Sequence, residues 1–307
     1  MTSACPPSAD RIARALLTYL VTPGDLVLPT LLATMDPTEL ITRARTGAPL
    51  PTPADAIIGD LITPARDRWH RQLTHLPTDG GIAQAAAAGI RLICPGDPEW
   101  APGLNDLTHD RPHALWARGS ADLRESCTRP VAVIGTRAAT AYGQHITTSI
   151  VTGLAPHSIT IISGAAYGID ATAHRAALAT GTRTIAVLAC GPDIPYPRAH
   201  ADLLNQIATH GLIVSEYPPG RPPRREAFLA RNRITAALAT AGIIVTEATL
   251  RSGTMNTVGH ARRLHRPIMA VPGPITSAAS VGCHRLIADC AVPCVTSADD
   301  VLTRLAY

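Results

Sequence analysis

Two different spacings of apolar residues divide this chain. Over 8–46 they recur every three to four positions, as in RIARALLTYL (11–20) and LVLPTLLATMDPTELITRA (26–44). That period predicts amphipathic helices, interrupted at Pro23-Gly24. Residues 50–56 are punctuated by proline, and 57–90 read as further helix ending in the alanine run of GIAQAAAAGI. RLICPGDPEWAPGLNDL (91–107) and PHALWARGSADL (112–123) then read as short strands and turns. We therefore expect a helical N-terminal domain with a short strand-rich lead-in over 1–125. It carries no cluster of chemically capable side chains, which suits packing or contact with a protein or nucleic acid.

From 126 to 307 the pattern changes to short continuous apolar runs alternating with helical stretches. The runs are PVAVIG (130–135), ITIISG (159–164), RTIAVLAC (183–190), GLIVSE (211–216), GIIVTE (242–247), PIMAVPG (267–273) and AVPCV (291–295). Runs without polar alternation mark strands buried on both faces, as in a parallel sheet between helix layers. The expected fold class is α/β: an extended Rossmann-like, doubly wound, mostly parallel sheet preceded by a small helical domain. In such sheets ligands bind beyond the carboxyl ends of the strands. Four of those ends are GTRAATAYG (135–143), SGAAYGID (163–170), CGPDIPYP (190–197) and EATLRSGTMNT (247–257). Each is rich in Gly, Ser or Thr at a helix entry, where free N–H groups and the helix dipole favour phosphate.

Composition narrows the anion. The chain has no lysine, so all 27 basic residues are arginine. That excludes a Schiff-base lysine and a P-loop lysine. The first turn lacks the G-x-G-x-x-G spacing of a dinucleotide site, and no acid ends the second run to hold a ribose. Charge is uneven: 12 Arg oppose 14 acidic residues over 1–130, and 15 oppose nine over 131–307. RPPRREAFLARNR (221–233) holds five Arg and one Glu around Phe228, the only phenylalanine. Arginine and an aromatic ring so interleaved suit phosphates and stacked bases of an unpaired strand. A solvated arginine-rich loop, with Phe228 anchored in a core, fits the same letters. Arg231 and Arg233 can equally form salt bridges, and Asn232 can cap a helix.

Seven cysteines, an odd number without a CxxC pair, suit a reducing cytosol. The N-terminus shows no signal pattern and no apolar run approaches the ~20 residues that span a bilayer. A cytoplasmic protein with no membrane segment is expected. The spacing of Cys283, His284, Cys290 and Cys294 is not that of a usual zinc site, so no metal is expected. Asp170 and His174 lie four residues apart on a helix face, which fits a hydrogen bond holding the helix to its neighbouring loop better than an acid–base pair.

In order, these motifs resemble the DNA processing protein A family (DprA, also called Smf). The quoted residues are GTR (135–137), Thr140 with Tyr142-Gly143, SGAAYGIDATAH (163–174), GPDIPYP (191–197) and SEYPPG (215–220). FLARNR (228–233), EATLRSGT (247–254), AVPG (270–273) and GCHRLI (282–287) follow. GDPEW (96–100) and LWARGSADL (115–123) are similar to the family's lead-in. The resemblance implies a recombination mediator that binds single-stranded DNA, protects it, and loads the RecA recombinase past single-strand binding protein during natural transformation. It implies no cofactor, no catalytic residue, and a homodimer. Carried over by motif, Thr136 and Arg137 lie at a DNA phosphate, and Gly164, Ala165 and Gly168 let backbone approach the strand. Arg224 or Arg225 meets phosphate, Phe228 stacks on a base, Arg231, Asn232 and Arg233 shape that edge, and Ser252 with Gly253 offers N–H groups. Thr136 stands where the family has Ser, and Leu229 where it has Pro, which loosens the turn around Phe228. The chain stops at Tyr307 soon after the α/β domain, without the winged-helix-like module of some relatives. Two rivals remain: a phosphoribohydrolase-like nucleotide enzyme, which needs a catalytic glutamate after a P-G-G-x-G-T loop where this chain has Met255-Asn256-Thr257, and a nucleotide sensor in a defence system.

Overall fold

The structure, a computed structural model, describes residues 7–20 and 25–305. The expected break at Pro23-Gly24 lies outside them. Five helices open the fold: α1 (Ala9–Leu20), α2 (Val27–Leu32), α3 (Pro37–Thr46), α4 (Ala56–Thr74) and α5 (Ile82–Ala87). Asp36 and Asp55 cap α3 and α4 by accepting N–H groups of their first turns. Leu16, Leu17, Leu28, Leu31, Leu40, Trp69 and Leu73 form their shared core.

The sheet begins earlier than the 125/126 boundary drawn on the sequence. The lead-in strands β1 (Ile90–Ile93) and β2 (Leu115–Arg118) pair antiparallel with each other. Then come α6 (Leu123–Ser126), β3 (Pro130–Ile134), α7 (Ala141–Leu154), β4 (Thr160–Ser163), α8 (Ile169–Ala179), β5 (Thr184–Leu188), α9 (Ala201–His210) and β6 (Leu212–Ser215). They are followed by α10 (Arg225–Leu238), β7 (Gly242–Val245), α11 (Gly253–Arg263), β8 (Ile268–Ala270), α12 (Val281–Cys290) and α13 (Ala298–Arg304). The eight strands lie in the order β1-β2-β6-β5-β4-β3-β7-β8, with β2 antiparallel to β6 and all later pairings parallel. The first domain is joined to this sheet directly. Ala15 and Ala85 pack with Ile90, Leu92 and Trp116, whose indole N–H donates to the Thr18 hydroxyl at 3.0 Å.

Six of the seven apolar runs are strands. The seventh, 291–295, contributes one isolated parallel bridge, Cys294 to Ala270. Pro293 has no N–H to extend a ladder, though its carbonyl accepts from Ala270. Val131, Val133, Ile161 and Ile244 bury one sheet face under α7, α8 and α13. Ala132, Ile162, Val187, Val214 and Val245 bury the other under α10, α11 and α12. Alternate residues of each strand face opposite layers, which is why the runs are apolar throughout. The chain leaves β3 toward β4, β5 and β6, then returns to the far side of β3 as β7. The switch point therefore lies between β3 and β7, where an open α/β sheet forms its crevice.

His174 on α8 is fully buried and pairs through Nδ1 with the Thr184 hydroxyl at 2.8 Å, not with Asp170. Among the described residues its Nε2 has no hydrogen-bond partner. Burial, with His200 and the arginines Arg231 and Arg175 adding repulsion, pushes its pKa down to about 3. Burial likewise holds His113 at about 4. The unfolded chain gains these protons near pH 6.5 and the folded one only well below that. Stability is thus complete above pH ~6.5 and falls toward acid, by up to ~1.4 kcal/mol per pH unit per histidine. Urea midpoints measured from pH 7.5 to 5 should decline below 6.5; a flat profile would contradict the burial.

Candidate functional site

β3 ends in the turn Gly135-Thr136-Arg137, and the end of β7 holds that turn in place. The Thr136 N–H donates to the Glu247 carbonyl at 2.7 Å. The Glu247 carboxylate, 1% exposed, accepts the Thr140 N–H at 3.0 Å and its hydroxyl at 2.6 Å. Thr140 in turn caps α7 by accepting the Gly143 N–H. A side chain at 143 would overlap the Glu247 carboxylate. Gly168, at φ 77°, sits beneath the turn, where a Cβ would run into the carbonyls of Thr136 and Arg137.

The loop after β4 is fixed from below. Asp170, buried at the start of α8, accepts the N–H groups of Gly164 and Ala166 at 3.1 and 3.3 Å. Its carboxyl is pushed up by burial, against which the Arg231 charge works. Arg231 is itself 6% exposed and donates to the carbonyls of Gly164, at 2.9 Å, and Val187. A Cβ at 164 would collide with that guanidinium. Gly164 is therefore demanded by internal packing. Ala165 is fully buried at φ 54°, its carbonyl bonded to His200 Nδ1.

Between these loops, α10 and the start of α11 lies a groove of about 740 Å³. Thr136, Arg137, Gly164, Arg224, Arg225, Phe228, Arg231, Asn232, Ser252 and Gly253 all line it. Arg137, Arg224 and Arg225 are exposed. The last two stand at the N-terminus of α10, with Arg224 at its cap, where the helix dipole disfavours cations. A partner anion makes sense of that placement. Phe228 combines the two roles open to it: it packs against the cluster of Ala189, Tyr217 and Ala227 while lining the groove. The Arg137 guanidinium lies 5.2 Å from the centre of its ring. Tyr196 lies 5.4 Å away on another side, tilted by 47°.

Three expected site residues are placed elsewhere. Ala165 and Gly168 are absent from the groove lining, being held beneath it. Arg233 leaves the rim altogether. It forms a buried ion pair with Glu216 at 2.6 Å and donates to the Asp110 carbonyl at 2.9 Å. The salt-bridge alternative for this residue is therefore the one realised, because α10 turns position 233 toward β6. Asn232 is no cap: in mid-α10, it donates to the Gly253 carbonyl and Asn256 Oδ1, each at 3.1 Å, and ties α10 to the start of α11. Leu229, the fifth residue of α10, is 51% exposed.

Sequence reading missed Tyr196, Glu247 and the threonines Thr235, Thr254 and Thr257 of the groove. Tyr196 was visible as an aromatic at a strand's carboxyl end; Glu247 as an acid closing an apolar run; the threonines carried no distinguishing signal. Cys283 donates to the Val245 carbonyl and His284 bonds Gly273, and no group of three metal-capable side chains gathers among the described residues. No described helix is long and apolar enough to cross a membrane.

The family model described as DNA recombination-mediator protein A matches residues 91–306. A DprA-type DNA processing protein of Mycobacterium tuberculosis is 50% identical over 224 residues, covering 70% of this chain and 57% of its own length. This chain thus spans little more than half of that relative. DNA processing protein DprA of Streptococcus pneumoniae is 41% identical over 199 residues, 65% of this chain and 69% of that one. The X-ray structure of DNA processing protein A from Streptococcus pneumoniae superposes with a TM-score of 0.77 at 30% identity, over 99% of this chain and 100% of that one. A Helicobacter pylori DNA processing protein A, solved for its single-stranded DNA binding mode, gives 0.61 at 29% identity over 66% and 92%.

Proposed function

We infer the function from one premise: the chain belongs to the DNA recombination-mediator protein A family. Its groove binds single-stranded DNA, with phosphates at Arg137, Arg224, Arg225 and the α11 N-terminus and a base on Phe228. The bound strand is protected and handed to RecA past single-strand binding protein, in the cytoplasm, by a homodimer. Arg231 and Asn232 act from beneath, by holding the groove's floor and wall. The observation that carries this reading is the pairing of three exposed arginines with a half-buried aromatic ring at the sheet's switch point. No covalent step belongs to the proposal. What favours that over an enzyme is that Asp170, the one carboxylate lining the groove among the described residues, is engaged by two loop N–H groups beside the Arg231 charge.

The test is anisotropy of a labelled ~30-nucleotide oligo(dT) across a salt series, with duplex DNA and AMP as competitors. Three arginine–phosphate contacts should give a slope of log K against log salt of about −2, since each contact on a single strand contributes ~0.7. Duplex DNA should compete weakly. Absent oligo(dT) binding by folded protein would end the proposal and leave the small-nucleotide rivals.

A further inference from the structure

The rings of Phe228 and Tyr196 are not the last aromatic groups on this edge of the sheet. Tyr167 stands in the loop after β4, one residue beyond Ala166, which lines the groove, and its own ring lies outside that lining. The residue is 48% exposed, and Tyr196 is 39% exposed. The Tyr167 ring is nevertheless held in place. It meets His200 edge to face, with centroids 4.8 Å apart and planes at 67°. His200 is buried, and its Nδ1 donates to the Ala165 carbonyl at 3.0 Å, which ties the imidazole back to the loop that carries Tyr167. On the other side Gly168, next in the chain, packs under the carbonyls of Thr136 and Arg137. A ring fixed in orientation with nearly half its surface open to solvent is a platform whose ordering is complete before a flat partner arrives.

The platform is continuous with the groove. Tyr196 lines the groove beside Phe228, and His200 follows it by four residues, the last three of them a single 3-10 turn (Arg198–His200). Four residues of chain span at most ~14 Å. At a rise of ~3.4 Å or more per nucleotide, ~4 nucleotides or fewer bridge that distance. Phe228, Tyr196 and Tyr167 therefore form a succession of rings that leads out of the groove. We propose that a bound single strand leaves the groove over Tyr196 and that a base beyond the groove stacks on Tyr167. The proposal rests on the groove being the strand's binding site. Stacking on a ring tolerates any sequence, because every base has a π-face. A duplex keeps its bases stacked on one another and offers no free face there, so Tyr167 adds to the preference for single strands over duplex.

The experiment is anisotropy of labelled oligo(dT) across a salt series, on the full chain and its Tyr167 variants, with a duplex of equal length alongside. Tyr167→Ala should bind the single strand about 5- to 10-fold more weakly, the low end of base–aromatic stacking, and keep the salt slope, because a stacked base releases no phosphate counterions. Its duplex affinity should not change. Tyr167→Phe, which keeps the ring, should bind as the parent chain does. Tyr167→Trp gives an independent reading: oligo(dT) should quench its emission beyond any change in the three native tryptophans. Unchanged affinity in folded Tyr167→Ala, or no added quenching, overturns the proposal. So does a loss with a flatter slope, which traces the loss to a displaced Arg137. In each of these cases the parent chain still binds oligo(dT) and the proposed function stands. If the parent chain binds no oligo(dT), the proposed function and the outer platform fall together.

Discussion

Phe228→Ala should weaken oligo(dT) binding by ~1–3 kcal/mol, the range found when an aromatic platform for one base is removed. Arg137→Ala should weaken it less but lower the salt slope by ~0.7, because one phosphate contact no longer releases counterions. The double variant should lose less than the sum. Arg137 lies over the Phe228 ring, so each side chain helps place the other, and residues in such contact are not energetically independent. The cycle is measured by anisotropy at two salt concentrations. Unchanged affinity in folded Phe228→Ala removes the stacking role, and strict additivity removes the coupling between ring and guanidinium.

Glu216→Ala should destabilise the fold by ~3–5 kcal/mol, since it strands the buried Arg233 charge. The carboxylate is 3% exposed and meets the guanidinium at 2.6 Å. Among the described residues Arg233 would keep the carbonyls of Asp110 and Ala230, too few acceptors for its five N–H donors. Denaturant midpoints measure the loss. Glu216→Gln, which keeps an acceptor in place, should lose less. Oligo(dT) affinity at a temperature where the variant is folded should stay within error, because Arg233 points away from the groove. A fall in affinity without a fall in stability would return Arg233 to the rim.

That pair shows where sequence reading stops. RNR places two arginines two residues apart, and no property of the letters says which one borders the groove. On α10 they project about 200° apart, one under the loop after β4 and the other toward Glu216 on the far side of the sheet's end. Gly164 and Gly168 are a second case. Their spacing singled them out, yet the surroundings that demand glycine there are the Arg231 guanidinium and the carbonyls of the 136–137 turn. Glu247 is a third, a buried acid whose work is to hold Thr140 and thereby the turn bearing Arg137.

The sequence by itself determined the mostly parallel α/β sheet, the edge at which its Gly-rich turns gather, and the family. Continuous apolar runs, Gly-rich turns after them and an arginine segment around one phenylalanine are local features, set by period, backbone freedom and charge. Only the tertiary structure decided that β1 and β2 extend the sheet and that Arg231 lies beneath the groove while Arg137, Arg224 and Arg225 surround it. Those outcomes depend on which distant segments of chain meet, as Arg231 meets the Gly164 carbonyl and β2 meets β6, and the burial created where they meet separates an arginine held beneath the groove from those exposed around it.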